Sequence, residues 1–381
     1  MTDWPVKTLG DITTIATGKI DVNAATEDGE YPFFTCSRDV YKIDDAPFEG
    51  KAILVAGNGD LNVKYYEGRF NAYQRTYFLL SKNEDTFYPR YIFWFLENHL
   101  DVLRSGASGS TIKYIRLGDL SDALIAVPPL EEQKRIVALL DAATARVTEL
   151  TTCYEQARTH ADNLFTSALR DALEGNPDWP IKTLGNLLDV SIGGIWGSEA
   201  GEDDVDVFVY RSTELIKDGQ LKEVLTVRRS ITARQLESRK LEEGDLLLEK
   251  SGGGPKTPVG RVGLVKVLAG LSVCSNFMQL MRPRKNEVLP VYLHFFLNHF
   301  HVAGHTEDLQ NNSTNIRNLK TTEYMEIEIP VPPLEEQRRI VAQLDSMRAK
   351  TSEMIAAYDA KLKAAKNLRQ SVLEAAFAGE L

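Results

Sequence analysis

The stretch LLEKSGGGPKTPVGR, residues 247–261, combines residue types and spacing that suggest chemistry. Consecutive glycines let backbone N–H groups cradle an anion, and Lys250, Lys256 and Arg261 flank Gly252, Gly253 and Gly254. A phosphate loop needs G-x-x-x-x-G-K-[ST], however, and here Pro255 separates Gly254 from Lys256. AGNGD at 56–60 lacks the third glycine of a dinucleotide fingerprint. EGK at 49–51, with Asp45 nearby, matches a metal-nuclease fragment only over a length at which chance matches abound. His301 and His305 stand one helical turn apart, but the glutamate of H-E-x-x-H is missing. No nucleophile, base and orienting group assemble, as an enzyme requires. The sequence therefore predicts no catalytic residue, no metal site and no cofactor.

What remains suits contact with a polyanion. GNGDLNVKYYEGRFNAYQRTYF, 57–78, mixes glycines with Asn58, Lys64, Arg69, Gln74 and Arg75 among tyrosines. Further on, GASGSTIKYI supplies Ser110, Thr111 and Lys113. The triple-glycine stretch adds Ser251 and Thr257, CSNFMQLMRPR at 274–284 adds Asn276 and Gln279, and NNST adds Ser313 and Thr314. Arg and Lys read guanine, Asn and Gln read adenine, and glycine lets the backbone come close. Taken singly, each loop is equally an ordinary hairpin or capping turn. Charge argues the other way: the chain carries 44 Lys+Arg against 54 Asp+Glu, a net −10, without the basic footprint usual for nucleic-acid binders.

The elements that must position these loops occur twice. VPPLEEQKRIVALLD at 127–141 returns as VPPLEEQRRIVAQLD at 331–345. WPVKTLGDI at 4–12 returns as WPIKTLGNL at 179–187, and PRYIFWFLENH at 89–99 is echoed by PVYLHFFLNHF at 290–300. The middles, 13–88 and 188–289, share almost nothing. Two copies make a duplication rather than a solenoid. Each PPLEEQ phrase opens a helix, with prolines ahead of it and a glutamate pair suited to its positive end. A 4-3-4-3 apolar seam follows, through Ile136, Leu140, Val147, Leu150, Tyr154 and Leu164. The second copy runs through Ile340, Leu344, Met347, Met354, Tyr358 and Leu368, with Thr351 and Lys361 out of character. Connectivity predicts that the two helices pair antiparallel about a twofold-like axis. About 44 residues span roughly 66 Å, close to two DNA turns of roughly 34 Å.

Cys36, Cys153 and Cys274 are isolated thiols that suit a reducing compartment. The opening MTDWPVKTLG has no apolar signal core and no stretch is long enough to span a membrane, so the expected place is the cytoplasm.

The duplicated PPLEEQ[KR]RIVA phrase ahead of a heptad run resembles the specificity subunits of type I restriction–modification systems. WP-x-KTLG at the head of each half and both glycine-rich loops add to a likeness that covers the whole chain. The resemblance implies two α/β (α+β) target-recognition domains, 1–129 and 175–333. Two long antiparallel coiled-coil helices, 130–174 and 334–381, would separate them. It implies a non-catalytic adaptor whose domains each read half of a split, asymmetric double-stranded DNA target. Partners would be two methyltransferase subunits using S-adenosylmethionine and ATP-dependent restriction subunits. From the residues alone, a coiled-coil protein scaffold that touches no DNA stays open, and so does a single-chain DNA-modifying enzyme. The missing methyltransferase motif of the N-P-P-Y type and the missing phosphate loop argue against the enzyme.

Overall fold

The computed structural model describes residues 4–380 except 110–112, 175, 217–218, 254–257, 269 and 314–315. The chain divides into two compact units: one runs to Ala157 and resumes at Tyr358, and the other is Arg158–Ala357. Among the described residues, four helices longer than ten residues organise them: α1 Pro89–Gly106, α2 Leu130–Glu174, α3 Pro290–Val302 and α4 Leu334–Ala378. Each unit holds one α/β body and a stretch of both long helices.

In the first unit, strands Thr13–Thr17, Thr76–Ser81, Phe48–Ala56, Val63–Ala72, Tyr31–Phe34 and Val40–Ile43 form one sheet in that order. Alternation along Phe48–Ala56 sends Ala52 and Leu54 to one face, with Phe34, Phe70 and Phe78. Ile53 and Val55 go to the other, against Tyr91, Ile92 and Phe95 of α1. Phe78 pairs with Leu54 in the register, six residues from Phe48, a distance of about 20 Å along a flat strand. Yet the Phe48 and Phe78 rings are 4.4 Å apart, so the sheet curls on itself. Its corner lies where Gly50 pairs with Gly68, both at positive φ (140° and 133°), which side chains resist.

The second body splits the same role among smaller sheets. Leu188–Gly193, Met278–Pro283, Leu246–Glu249 and Val262–Leu264 form one; Arg228–Ile231, Val205–Tyr210 and Ser272–Cys274 form another. Leu246 and Leu248 face Tyr292, Leu293 and Phe296 of α3, and Leu247 faces the opposite core.

The repeated phrases tie each body to its helices. Strand Val6–Thr8 pairs antiparallel with Leu124–Ala126, and Ile181–Thr183 with Glu328–Pro330. Gln133 is buried: its Oε1 accepts from the Tyr88 N–H at 2.8 Å, and its Nε2 donates to the Thr86 and Pro128 carbonyls at 2.8 Å. Gln337 repeats this with the Leu289 N–H (2.7 Å) and the Glu287 and Pro332 carbonyls (3.0 and 2.8 Å). One amide thus satisfies an orphan N–H at the start of α1 or α3 while locking the start of a spacer helix. Ion pairs three residues apart, Lys134–Glu131 and Arg135–Glu132, close the first turn of α2, and Arg338–Glu335 and Arg339–Glu336 that of α4.

Within the first unit, Ile136 and Leu140 near the start of α2 share a core with Leu373 and Ala376 near the end of α4. Within the second, Leu169 and Leu173 share a core with Ile340 and Leu344. The helices are therefore antiparallel in both. Tyr154 and Tyr358, equivalent positions of the two copies, meet with ring centroids 6.3 Å apart. Lys361 is accounted for by its ammonium lying 5.3 and 5.5 Å over these two rings. Thr351 is buried, its hydroxyl donating to the Met347 carbonyl at 3.0 Å. Val147 is buried and Leu150 and Met347 half-buried, but three expected seam residues are corrected. Leu164, Met354 and Leu368 are 49, 40 and 52% exposed. A strict heptad drifts about 20° per repeat around a straight helix, so beyond the seam positions Ala161 and Ala365, which are buried, Phe165 and Leu169 take the inner face of α2 and Leu373 that of α4.

Candidate nucleic-acid interface

Three loops of the first body converge through backbone hydrogen bonds. The Gly57 N–H donates to the Arg75 carbonyl (2.9 Å), and the Gly57 carbonyl accepts from the Ile115 N–H (3.0 Å). The Gly59 N–H donates to the Lys113 carbonyl at 2.9 Å. Gly57 cannot be replaced without a shift, because an added methyl group would collide with the Arg75 carbonyl oxygen. The Tyr73–Thr76 turn closes on itself at 2.8 Å and hangs from the Phe34 carbonyl at 2.9 Å. This knot gathers Asn58, Gln74, Arg75 and Lys113 at one edge, with Tyr114 beside them, 39% exposed. The Arg75 and Lys113 side chains are exposed and make no ion pair or hydrogen bond among the described residues. The amide nitrogen of Gln74 lies 3.4 Å from an Asp21 oxygen. Ser110 and Thr111 lie outside the described residues.

Two other candidates of this half serve structure. The Lys64 ammonium donates to the Ser37 carbonyl (2.5 Å) and Asn62 Oδ1 (2.6 Å), and burial holds its pKa below the usual lysine range. Arg69 stacks 4.8 Å over Tyr31 and donates to the Ala46 carbonyl at 3.3 Å.

The second body, with an unrelated sequence, ties the same knot. The Lys250 N–H donates to the Phe277 carbonyl (3.0 Å), and the Lys250 carbonyl accepts from the Leu319 N–H (2.8 Å). The Ser275–Met278 turn closes at 2.9 Å and hangs from the Tyr210 carbonyl at 2.8 Å. Parallel pairs Phe34–Ala72 and Tyr210–Cys274 lead into the two turns. Gly57 thus corresponds to Lys250, Gln74 to Asn276, Arg75 to Phe277 and Ile115 to Leu319.

The glycine stretch Ser251–Gly253 pairs with Ile316–Leu319, and the Ser251 hydroxyl donates to Asn318 Oδ1 at 2.5 Å. Asn276 is exposed and Phe277 is 47% exposed. Gln279 instead donates to the Ser191 hydroxyl at 2.7 Å. Arg261 is held by buried Glu249 through two bonds of 2.8 Å, which raise its pKa. Gly252 is exposed and Gly253 buried, whereas Gly254, Lys256, Thr257 and Thr314 lie outside the described residues. Ser313 ends the strand Gln310–Ser313, and its side chain too lies outside them.

Sequence reasoning missed Tyr114 and Phe277. The only signal for them is the main-chain knot, which side-chain patterns do not encode.

Two buried titratable groups of the second body are held uncharged. Burial pushes the Cys274 thiol up to about 12, leaving it inert. His294 is held down to about 4 by burial, its Nε2 between the Gly219 carbonyl (3.0 Å) and the Asn298 amide (2.8 Å). Among the described residues no cluster of three or more His, Cys, Asp or Glu could hold a metal, and no helix is long and apolar enough to cross a membrane.

Against known proteins, residues 1–157 and 176–364 match the family described as type I restriction modification DNA specificity domain. The chain is 29% identical to the type I restriction enzyme EcoDI specificity subunit of Escherichia coli, over 100% of this chain and 89% of that protein. It is 22% identical to the EcoBI specificity subunit of the same species, over 86% and 73%. Two solved structures share the fold. One, described under complex assembly and conformational transition of the type I R-M system, has a TM-score of 0.73 at 20% identity over 99% of this chain and 98% of that one. The other, the HsdS subunit from Thermoanaerobacter tengcongensis, has a TM-score of 0.55 at 20% identity over 99% and 97%.

Proposed function

This chain belongs to the type I restriction modification DNA specificity family, and from that premise we propose that each of its two bodies reads one half of a split, asymmetric DNA target. The duplicated backbone knot carries the reading. It gathers Asn58, Gln74, Arg75 and Lys113 in one body, and Ser251 and Asn276 in the other, on edges of the same construction with different side chains. Similar frames with unlike readers select unlike half-targets.

In this reading the recognition domains are 1–129 and 175–333, and the helices 130–174 and 334–381 act as a ruler that fixes the gap between half-targets. The helix pair also docks two methyltransferase subunits. These use S-adenosylmethionine, and ATP-dependent restriction subunits join them. The chain supplies recognition, and its partners supply catalysis. The setting is the cytoplasm. A net charge of −10 means few phosphates are neutralised by the chain alone, so its own DNA binding is weak and salt-sensitive, and the partners add electrostatic grip.

An adenine-methylation map of the host genome, with and without this gene, tests the proposal. Loss of N6-methyladenine from one bipartite, non-palindromic motif is the expected result. An unchanged map with the methyltransferase expressed would refute it.

A further inference from the structure

The two knots differ most at one position, and that difference has a chemical meaning. Arg75 and Phe277 both present their carbonyls to the glycine-rich loop of their own body, and both follow an exposed amide residue, Gln74 or Asn276. The backbone thus aims two side chains from each turn in the same order. The first of the pair is alike in chemistry, and the second is not. Arg75 offers a planar fork of donors with no partner among the described residues, suited to guanine O6 and N7. Phe277 offers only apolar surface, 47% exposed on an edge otherwise built for polar contact.

Nothing in the core demands that exposure. The neighbouring Met278 and Cys274 are buried, and together with Leu247 and Leu280 they fill the core beneath the turn. The Ile195 N–H donates to the Cys274 carbonyl (2.8 Å) and the Gly194 N–H to the Met278 carbonyl (3.0 Å), which ties the flanking segment to the turn, while the Trp196 ring is taken by the Arg229 guanidinium 4.9 Å over it. In the major groove one base alone presents an apolar group, the 5-methyl of thymine.

We propose that Phe277 is a specificity-determining residue of the second body, selecting thymine through its 5-methyl group where the first body uses Arg75 to select guanine. This rests on the reading that the chain recognises a split DNA target. Phe277 acts by excluding water from the methyl group, and an amide at 276 completes the contact with the adjoining base.

The test uses the full chain with its methyltransferase partner and duplexes carrying the mapped target. Each thymine of the second half-target is replaced in turn by uracil, which removes only the methyl group. For the native protein, one replacement should weaken binding about fourfold, the worth of one buried methyl group. Phe277→Ala should bind the thymine and uracil duplexes equally, and Phe277→Leu should keep part of the discrimination. Thermal unfolding of the variants checks that both fold. Indifference of the native complex to every replacement overturns the proposal. So does discrimination that survives in Phe277→Ala, or a second half-target without thymine on either strand. A native complex that prefers its mapped target over a scrambled duplex keeps the recognition reading intact in all these outcomes. No such preference would sink that reading instead.

Discussion

The turn at 73–76 and the turn at 275–278 hang from equivalent main-chain bonds, yet their side chains have little in common. The long helices show the reverse: Gln133 and Gln337 are the same residue making equivalent bonds with equivalent partners. A joint made by side chains must keep those side chains. An edge made by backbone is free to change what it displays. Duplication left the first kind visible and the second hidden.

Substitutions at matched positions of the two halves should show this difference between joint and edge. Leu140 and Leu344 are equivalent and both buried, so Leu140→Ala and Leu344→Ala should each cost about 2–5 kcal/mol in chemical denaturation. Leu164→Ala and Leu368→Ala, on the exposed faces, should stay within about 0.5 kcal/mol. Unequal costs within either pair would mean the two helices are not equivalent.

Acid should separate the halves next. Folded His294 is held neutral down to about 4, whereas the unfolded chain titrates near 6.5. Between those values the unfolded state binds the extra proton. Stability is therefore full above about pH 6.5 and lost as pH falls towards 4, by about 3 kcal/mol at most. Hydrogen exchange should locate the loss around α3, and His294→Gln should reduce it.

Gln133→Ala and Gln337→Ala each strand a buried N–H and two carbonyls. Each should cost about 2–3 kcal/mol in thermal unfolding, equally in both halves. Asp141 and Asp345 should then diverge. Asp141 accepts bidentately from Arg90 and from the Trp94 indole at 2.9 Å. Val291 and Phe295 replace those donors in the second body, where Asp345 instead lines a cavity of about 190 Å³. Asp141→Ala should cost about 1–2 kcal/mol, and Asp345→Ala under about 0.5 kcal/mol. The smallest effect belongs to Lys113→Ala. As a phosphate contact, its loss should lower the salt slope of DNA binding by about one, uniformly across sequences.

The duplication, the long helices and the antiparallel pairing were legible in the sequence because each rests on side-chain identity or period. The seam was legible from Ile136 to Tyr154 in the first helix, and at Ile340, Leu344, Met347 and Tyr358 in the second. Past Ala161 it slips to Phe165, since a straight helix does not hold a 3.5-residue repeat. Among the candidate DNA contacts, Asn58, Gln74, Arg75, Lys113, Ser251 and Asn276 are gathered at the knots. Lys64, Arg69, Arg261 and Gln279 are bound to their own body, because a cation or amide in a loop looks alike in sequence whether it faces solvent or a carbonyl. The curl at Gly50 and Gly68, which brings the ends of one strand pair back together, left only two glycines as its trace.

The most direct test of separate reading by the two bodies is selection from randomised duplexes by the full chain with its methyltransferase partner, comparing the native protein with Arg75→Ala. The account predicts a bipartite, asymmetric motif in which Arg75→Ala blurs one block and leaves the other block and the gap unchanged. Blurring of both blocks, or a single continuous motif, would contradict it.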